Sequence, residues 1–518
     1  MPCLLSRRPA EGWRQGTRAA LYGGAALLVA AVAVQPLAAE EVDDLKSEMR
    51  HLLDRIDQLE QNQQQTQVEV DQLEASSAWA VNEPAVRARA TVVNYATTQG
   101  DYVSGGDFPG SFKLPGSETS MAWYGFIKAD FIHDFGPLRA LPQLAAPGLL
   151  PARGGAGASL TNQTNFRVNP SQLNIETRTP SEYGEIRTLF QFDDFFADVD
   201  GGPNNSTVNE TALGLRLAQG TIGPWTFGQH WTSSIDLSQY AETLDYENLN
   251  AAPLCRCPAV TYADSLGGGW SFGVSLVDPV TQIDLTGGTV GVGGAPLRAD
   301  DRLPDLQGNI KYAQDWGHIF LGGQLREIGY IIDDAAAVGG ANAWRVTTGK
   351  SEDHIVGWGL TLGLNLFDPL GLHPRDRFYT NATYGEGMRG IIDESLFCFT
   401  PLSGGLGCVL EATVNPTTGD LDANSNFAFM AHYQHWWTDT IRSYFIYGLT
   451  RNSPGNDFDT IGTIRRTQYA VVNLVWSPAP RVNLGVETQY AEATFKGAAG
   501  TLNGNDTIQV QASALFLF

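Results

Sequence analysis

From Ser120 to Phe518, apolar and polar positions alternate with a period of two. In 123–131 (WYGFIKADF), Trp123, Ile127, Ala129 and Phe131 share one face, and Lys128 and Asp130 share the other. Near the end of the chain Ile508, Val510, Ala512, Ala514, Phe516 and Phe518 make an apolar side, with Gln509, Gln511 and Ser513 opposite. Leu213, Leu215 and Leu217 stand opposite Arg216, and Val482, Leu484 and Val486 stand opposite Asn483, Glu487 and Gln489. Such a stretch predicts a strand with two unlike faces. A solvated soluble sheet gives the same alternation, so no single stretch decides the fold.

The links between strands decide it. Sixteen candidate strands begin near 120, 165, 185, 212, 225, 259, 270, 305, 318, 352, 377, 425, 441, 463, 482 and 506. Short links at 179–184, 221–224, 266–269, 315–317, 367–376, 437–439 and 477–480 alternate with long Gly/Asn/Asp-rich ones at 135–164, 196–211, 233–258, 277–304, 329–351, 387–424, 452–462 and 496–505. Strict short/long alternation predicts an all-β transmembrane barrel of about sixteen antiparallel strands, with turns on one side of the membrane and loops on the other. A soluble sandwich has no reason to alternate this way. Trp225, Trp270, Trp316, Trp436, Trp437 and Trp476 gather near the short links, where an indole suits a membrane interface. Core packing is the competing account of those tryptophans.

The N-terminus follows other periods. Arg7, Arg8, Arg14 and Arg18 precede an apolar run at 21–34 that is too short to span a bilayer, and small residues follow at 36–39. This predicts a secretory signal over 1–39. In 40–78, Val42, Met49, Ile56, Gln63 and Val70 fall at heptad position a, and Leu45, Leu52, Leu59, Thr66 and Leu73 at d. So narrow a seam predicts an intermolecular coiled coil, on the periplasmic side because an even strand number brings both barrel ends back there. Residues 79–119 read as a linker, and 120–518 as the barrel domain.

Composition narrows the function. The net charge of −23 repels nucleic acid, and no basic stripe offsets it. Mean hydropathy of −0.16 is too low for a helical membrane protein but suits strands that meet lipid with every second residue. Five cysteines in 518 residues do not form a disulfide scaffold. Cys255/Cys257 and Cys398/Cys408 lie in loop-like stretches with poor zinc spacing. After export to an oxidising compartment, Cys398–Cys408 is expected as a loop staple, while the pairing of Cys255 and Cys257 stays open.

The segments WYGFIKADFIHDFG (123–136), NPSQLNIETRTPSEYGEIRTLFQFDDFF (169–196), TALGLRLAQGTIGPWTFGQHWTSSID (211–236) and AETLDYENLN (241–250) resemble the DcaP-like porin family, and the order of elements matches over nearly the whole mature chain. The resemblance implies a sixteen-stranded homotrimeric barrel in the outer membrane, a periplasmic coiled coil, and small hydrophilic solutes, above all anionic organic acids such as dicarboxylates. A terminal strand ending in Phe518 also resembles the assembly signal of outer-membrane proteins. Phosphate-selective porins share the heptads and the barrel, so they stand as an alternative. The Cys255/Cys257 pair and the long 387–424 link depart from the family pattern.

No motif for a nucleophile, metallohydrolase or P-loop is present, and no cofactor is expected. Asp193/Asp194 and Asp333/Asp334 read as solvated acids rather than as catalytic or calcium-binding groups. What a porin needs is a polar lumen narrowed by an inward loop, usually the third. Here that loop is 233–258, with Asp236, Glu242, Asp245 and Glu247. Arg178, Arg187, Arg216 and Arg326, with Lys128, are expected to face inward as the opposing basic wall of a constriction. Either the two signs create a transverse field at the neck, or the arginines pair with lumen acids such as Glu176, Asp193 and Glu487 and stiffen the wall. The rival functions are a structural or adhesive envelope protein carried by the coiled coil, and, more distantly, a secreted β-rich enzyme.

Overall fold

The computed structural model describes residues 105–137, 147–154, 157–193, 213–246, 251–281, 283–284, 297–332, 348–389, 411–459, 462–497 and 502–518. The expected signal and coiled coil, and the linker up to residue 104, lie outside the described residues.

Sixteen strands form one closed antiparallel ring: β1 Ser120–Asp134, β2 Gln172–Thr179, β3 Ile186–Asp193, β4 Gly214–Ile222, β5 Trp225–Trp231, β6 Arg256–Gly267, β7 Trp270–Val277, β8 Asp305–Gln314, β9 Gly317–Ile332, β10 Glu352–Phe367, β11 Arg377–Glu386, β12 Ser425–Trp436, β13 Ile441–Ser453, β14 Ile464–Ala479, β15 Val482–Lys496 and β16 Leu502–Leu517. Each pairs with the next, and β16 closes on β1 in the register Phe126↔Leu517 to Asp134↔Gln509. Closure leaves no unpaired edge, which a strand structure in lipid requires. The links fall out as expected, seven short turns at one end of the ring and eight loops at the other.

The strand expected from 165 is interrupted. Gln163–Arg167 pairs with the loop-end half of β1 and β2 with its turn-end half. Pro170, which has no N–H to give a ladder, stands between them. Over most of the ring the alternation holds. Trp123, 60% exposed, and Ile127, Ala129 and Phe131 point outward, while Lys128 and Asp130 are buried inside. Leu217 is a correction to the simple alternation. The β3–β4 register shifts between Gln191 and Phe192, and this bulge buries Leu217 on the lumen side with Leu189, Trp231 and Ile235.

Trp225, Trp270, Trp316, Trp437 and Trp476 are exposed at the turn end, some paired with tyrosines: Trp225 to Tyr262 with ring centroids 5.0 Å apart, Trp270 to Tyr312 at 4.6 Å. Trp436 departs from the expected belt and turns inward. Part of the expected linker also has structure, because Phe112–Lys113 pairs with the start of β1. At the loop end, Ile283–Asp284, Ala412–Val414 and Leu421–Ala423 form a small second sheet packed on Ile328, Tyr330 and Ile332 of β9.

Candidate functional site: the inward loop and the chamber beneath it

The link between β5 and β6, here L3, folds into the barrel. Its root is apolar: Ile235, Leu237 and Leu254 pack with Trp231, Leu189 and Leu217. Further along, Ala241, Ala251 and Ala252 rest on a lumen patch that includes Met430, Ile446, Val471 and Tyr469. Burying these apolar surfaces drives a polar loop off the rim and across the lumen. Gly485 of β15 leaves the space that Leu244 fills, since a Cβ there would stand 2.7 Å from a Leu244 methyl.

Polar bonds then fasten L3 from one wall to the other. Ser233 N donates to Ser275 Oγ on β7 (3.0 Å), and Ser234 Oγ to Gln307 Oε1 on β8 (2.6 Å). Asp236 caps the short turn Leu237–Gln239 by accepting from Ser238 N (3.1 Å), and it meets His318 Nε2 (2.7 Å) and Lys311 Nζ (3.9 Å). Burial pushes the Asp236 carboxyl up, but His318 and Lys311 beside it hold it well below the usual carboxylate range. Glu242 makes a two-pronged pair with Arg442 at the start of β13, with Nε to Oε2 at 2.5 Å. Leu244 donates its N–H to Glu487 Oε2 (2.9 Å) on β15 and accepts from Gln511 Nε2 (3.0 Å) on β16. Asp245 accepts from Tyr469 Oη (3.3 Å), and Tyr246 Oη reaches Gln172 Oε1 on β2 (2.6 Å). Cys255 and Cys257 form a disulfide where L3 returns to the wall. Glu247, Cys398 and Cys408 lie outside the described residues.

The basic residues expected at the constriction all point inward, each beside a carboxylate. Lys128 pairs with Asp130 two residues along the same face. Arg178 and Arg187 both contact Glu176, at 2.9 and 3.1 Å. Arg216 pairs with Asp193 at 2.8 Å and lies over the Tyr246 ring at 5.3 Å, which brings it against L3. Arg326 belongs to the loop end, where it meets Glu411 and Asp305 and donates to the Val280 carbonyl (2.7 Å). Each of these cations therefore has a carboxylate partner.

Between L3 and the turn end lies a cavity of about 620 Å³. Leu237, Ser238, Tyr240 and Glu242 bound it on the L3 side, and turn residues Asp439, Pro480 and Arg481 bound the other. Four arginines line it, Arg375, Arg377, Arg442 and Arg481, against two carboxylates, Glu242 and Asp439. The Arg375 guanidinium sits 3.8 Å from the centroid of a Trp436 ring and that of Arg442 5.1 Å, so the indole orients both cations. Arg377 lies over Phe367 at 4.3 Å and donates to the carbonyls of Pro374 and Asp376. Sequence reading missed these arginines because each stands in a turn or at a strand start, where the period of two no longer marks a face. Their recurrence beside three of the short links was the available signal.

Residues 101–350 match a family model described as Porin subfamily. Porin Omp2b of Brucella suis biovar 1 (strain 1330) is 22% identical over 214 residues, 40% of this chain and 52% of the relative, and Omp2b of Brucella abortus (strain 2308) matches equally. The chain thus spans about half the length of the curated relatives it matches. The outer membrane channel DcaP of Acinetobacter baumannii superposes with a TM-score of 0.60, covering 80% of this chain and 100% of that one at 17% identity. At that identity the likeness shows the fold. Over residues 101–350 the chain is thus similar to the Porin subfamily, and its barrel has the fold of the DcaP channel.

Proposed function

We propose that the protein is an outer-membrane porin, a passive diffusion channel for small hydrophilic solutes that favours anionic organic acids such as dicarboxylates. It works as a homotrimer, with its turn end and N-terminal coiled coil in the periplasm. The observation that carries this reading is L3, bonded from β7 round to β2 across the lumen of a closed barrel. A structural wall protein has no need to narrow a lumen in this way, and a porin selects at such a narrowing. The preference for anions rests on the balance of charge near the neck. Each L3 acid placed in the lumen has a donor, and the chamber beneath carries more guanidinium groups than carboxylates. Acids on outer loops are screened within about 8–10 Å at physiological salt, whereas charges at a neck act on every passing ion. Lys128, Arg178, Arg187 and Arg216, with Asp236, Glu242 and Asp245, form the frame of that neck in this reading.

Purified protein in planar bilayers is expected to give stepwise single-channel currents, with a reversal potential under a salt gradient displaced in the anion direction. Folded barrel that gives no steps would sink the channel reading, and strong cation preference would sink the anion reading.

The coiled coil is proposed to add to association without being needed for the barrel. Changing Leu52, Ile56 and Leu59 together to Asp should abolish helical association, because charges cannot be buried at a and d positions. Membrane fractionation should still find the barrel inserted. Complete loss of insertion would make the heptads part of the barrel fold.

A further inference from the structure

We propose that the chamber between L3 and the turn end is an anion-holding site, entered from the turn end, that takes small oxyanions bearing carboxylate or phosphate groups. The proposal deepens the channel reading and rests on it for sidedness, but not for binding itself.

The four arginines are not equivalent. Arg442 is committed to Glu242, and Arg377 to the carbonyls of its own turn, so both act as fixed positive charge. Among the described residues Arg375 forms an ion pair only with Asp439, at 2.7 Å, and that carboxylate is 93% exposed. An exposed pair of this kind is worth little and exchanges readily. Among the described residues Arg481 has no ion-pair partner. Two guanidinium forks are therefore available in a cavity that already holds two others in place. A fork matches an oxyanion through two parallel N–H···O bonds, which an ammonium cannot do. The volume lies in the roughly 300–1,000 Å³ range of small-molecule sites.

Geometry also gives the site a side. Ser238, Tyr240 and Glu242 close the chamber toward the loop end, while Arg481 and Asp439 stand in the turns. An anion arriving from the turn side meets the exchangeable arginines before it meets L3. One arriving from the loop side must first pass L3. Occupancy should therefore obstruct current unequally from the two faces.

Trp436 supplies a built-in reporter. Intrinsic fluorescence of the full-length protein in detergent is titrated with inorganic phosphate and, separately, with succinate, using Trp436→Phe to identify the responding indole. A saturable signal that Trp436→Phe removes is expected with at least one anion, and the two titrations show which chemistry the site prefers. The Arg375→Ser/Arg481→Ser double variant should weaken that binding about tenfold, as loss of charged hydrogen bonds implies. In bilayers, the same anion should block current more strongly from the turn side, and the double variant should lose the asymmetry. No saturation with either anion, or unchanged affinity in a double variant whose barrel is folded by heat-shifted gel mobility, overturns the site. If binding saturates but no channel conducts, the site stands and the porin reading fails. Equal block from both faces overturns the sided entry.

Discussion

Replacing residues 238–245 with a short Gly/Ser linker should raise single-channel conductance about two- to threefold and flatten ion selectivity, because a sixteen-stranded barrel without its inward loop is an open aqueous tube. The segment removed includes Glu242, Leu244 and Asp245, whose bonds to Arg442, Glu487 and Tyr469 hold L3 against β13, β14 and β15. It leaves Ile235, Leu237 and Leu254 in place, so the apolar root against Trp231 survives and the wall keeps its packing. Single-channel recording measures the first effect and reversal potentials the second. Unchanged conductance in a correctly folded variant would mean that the narrowest point lies elsewhere, for example under the small sheet at the loop end.

Arg326→Ala should lower barrel stability more than loss of any exposed charge. The Arg326 and Asp305 side chains are fully buried and Glu411 nearly so, and the arginine lies against both carboxylates. Removing one partner from a buried ion pair costs about 3–5 kcal/mol, mostly for the charge left behind. Arg389, 3.6 Å from Asp305, offsets part of this for one of the two acids. The temperature at which the folded, fast-migrating gel form converts to the unfolded one should drop clearly. Arg326→Met combined with Glu411→Gln should recover part of the loss, since fewer uncompensated charges remain. A conversion temperature equal to that of the unsubstituted protein in Arg326→Ala would show that water reaches the cluster and screens it.

The wall was largely legible from sequence because a barrel strand obeys one local rule. Alternation placed Trp123, Ile127 and Phe131 toward lipid and Gln509, Gln511 and Ser513 toward the lumen, and turn chemistry marked the ends. The rule fails where the ladder itself is disturbed, at Pro170 and at the bulge that turns Leu217 inward. Even some pairing on the lumen face was within reach. Lys128 with Asp130 and Arg178 with Glu176 are two residues apart on one strand, so they must share a face. The bond between Glu242 and Arg442 spans 200 residues and depends on where a loop lands, which no local period encodes. Trp436 illustrates the same limit, since position near a turn suits an interfacial tryptophan and a chamber-lining one equally.

The β1–β16 seam orders events in time. Gln509 bonds to Asp134 across 375 positions of sequence, and Ser513 bonds to Asp130 across 383. Contacts so distant along the chain form slowly, because loop closure must come before any reward. Neither can exist until the whole barrel segment has been synthesised. L3 adds a further condition, since Leu244 is held by Gln511 on the closing strand as well as by Glu487 on its neighbour. Its fastening at those two strands thus requires β15 and β16, so no shorter piece of the barrel can hold L3 as the whole ring does.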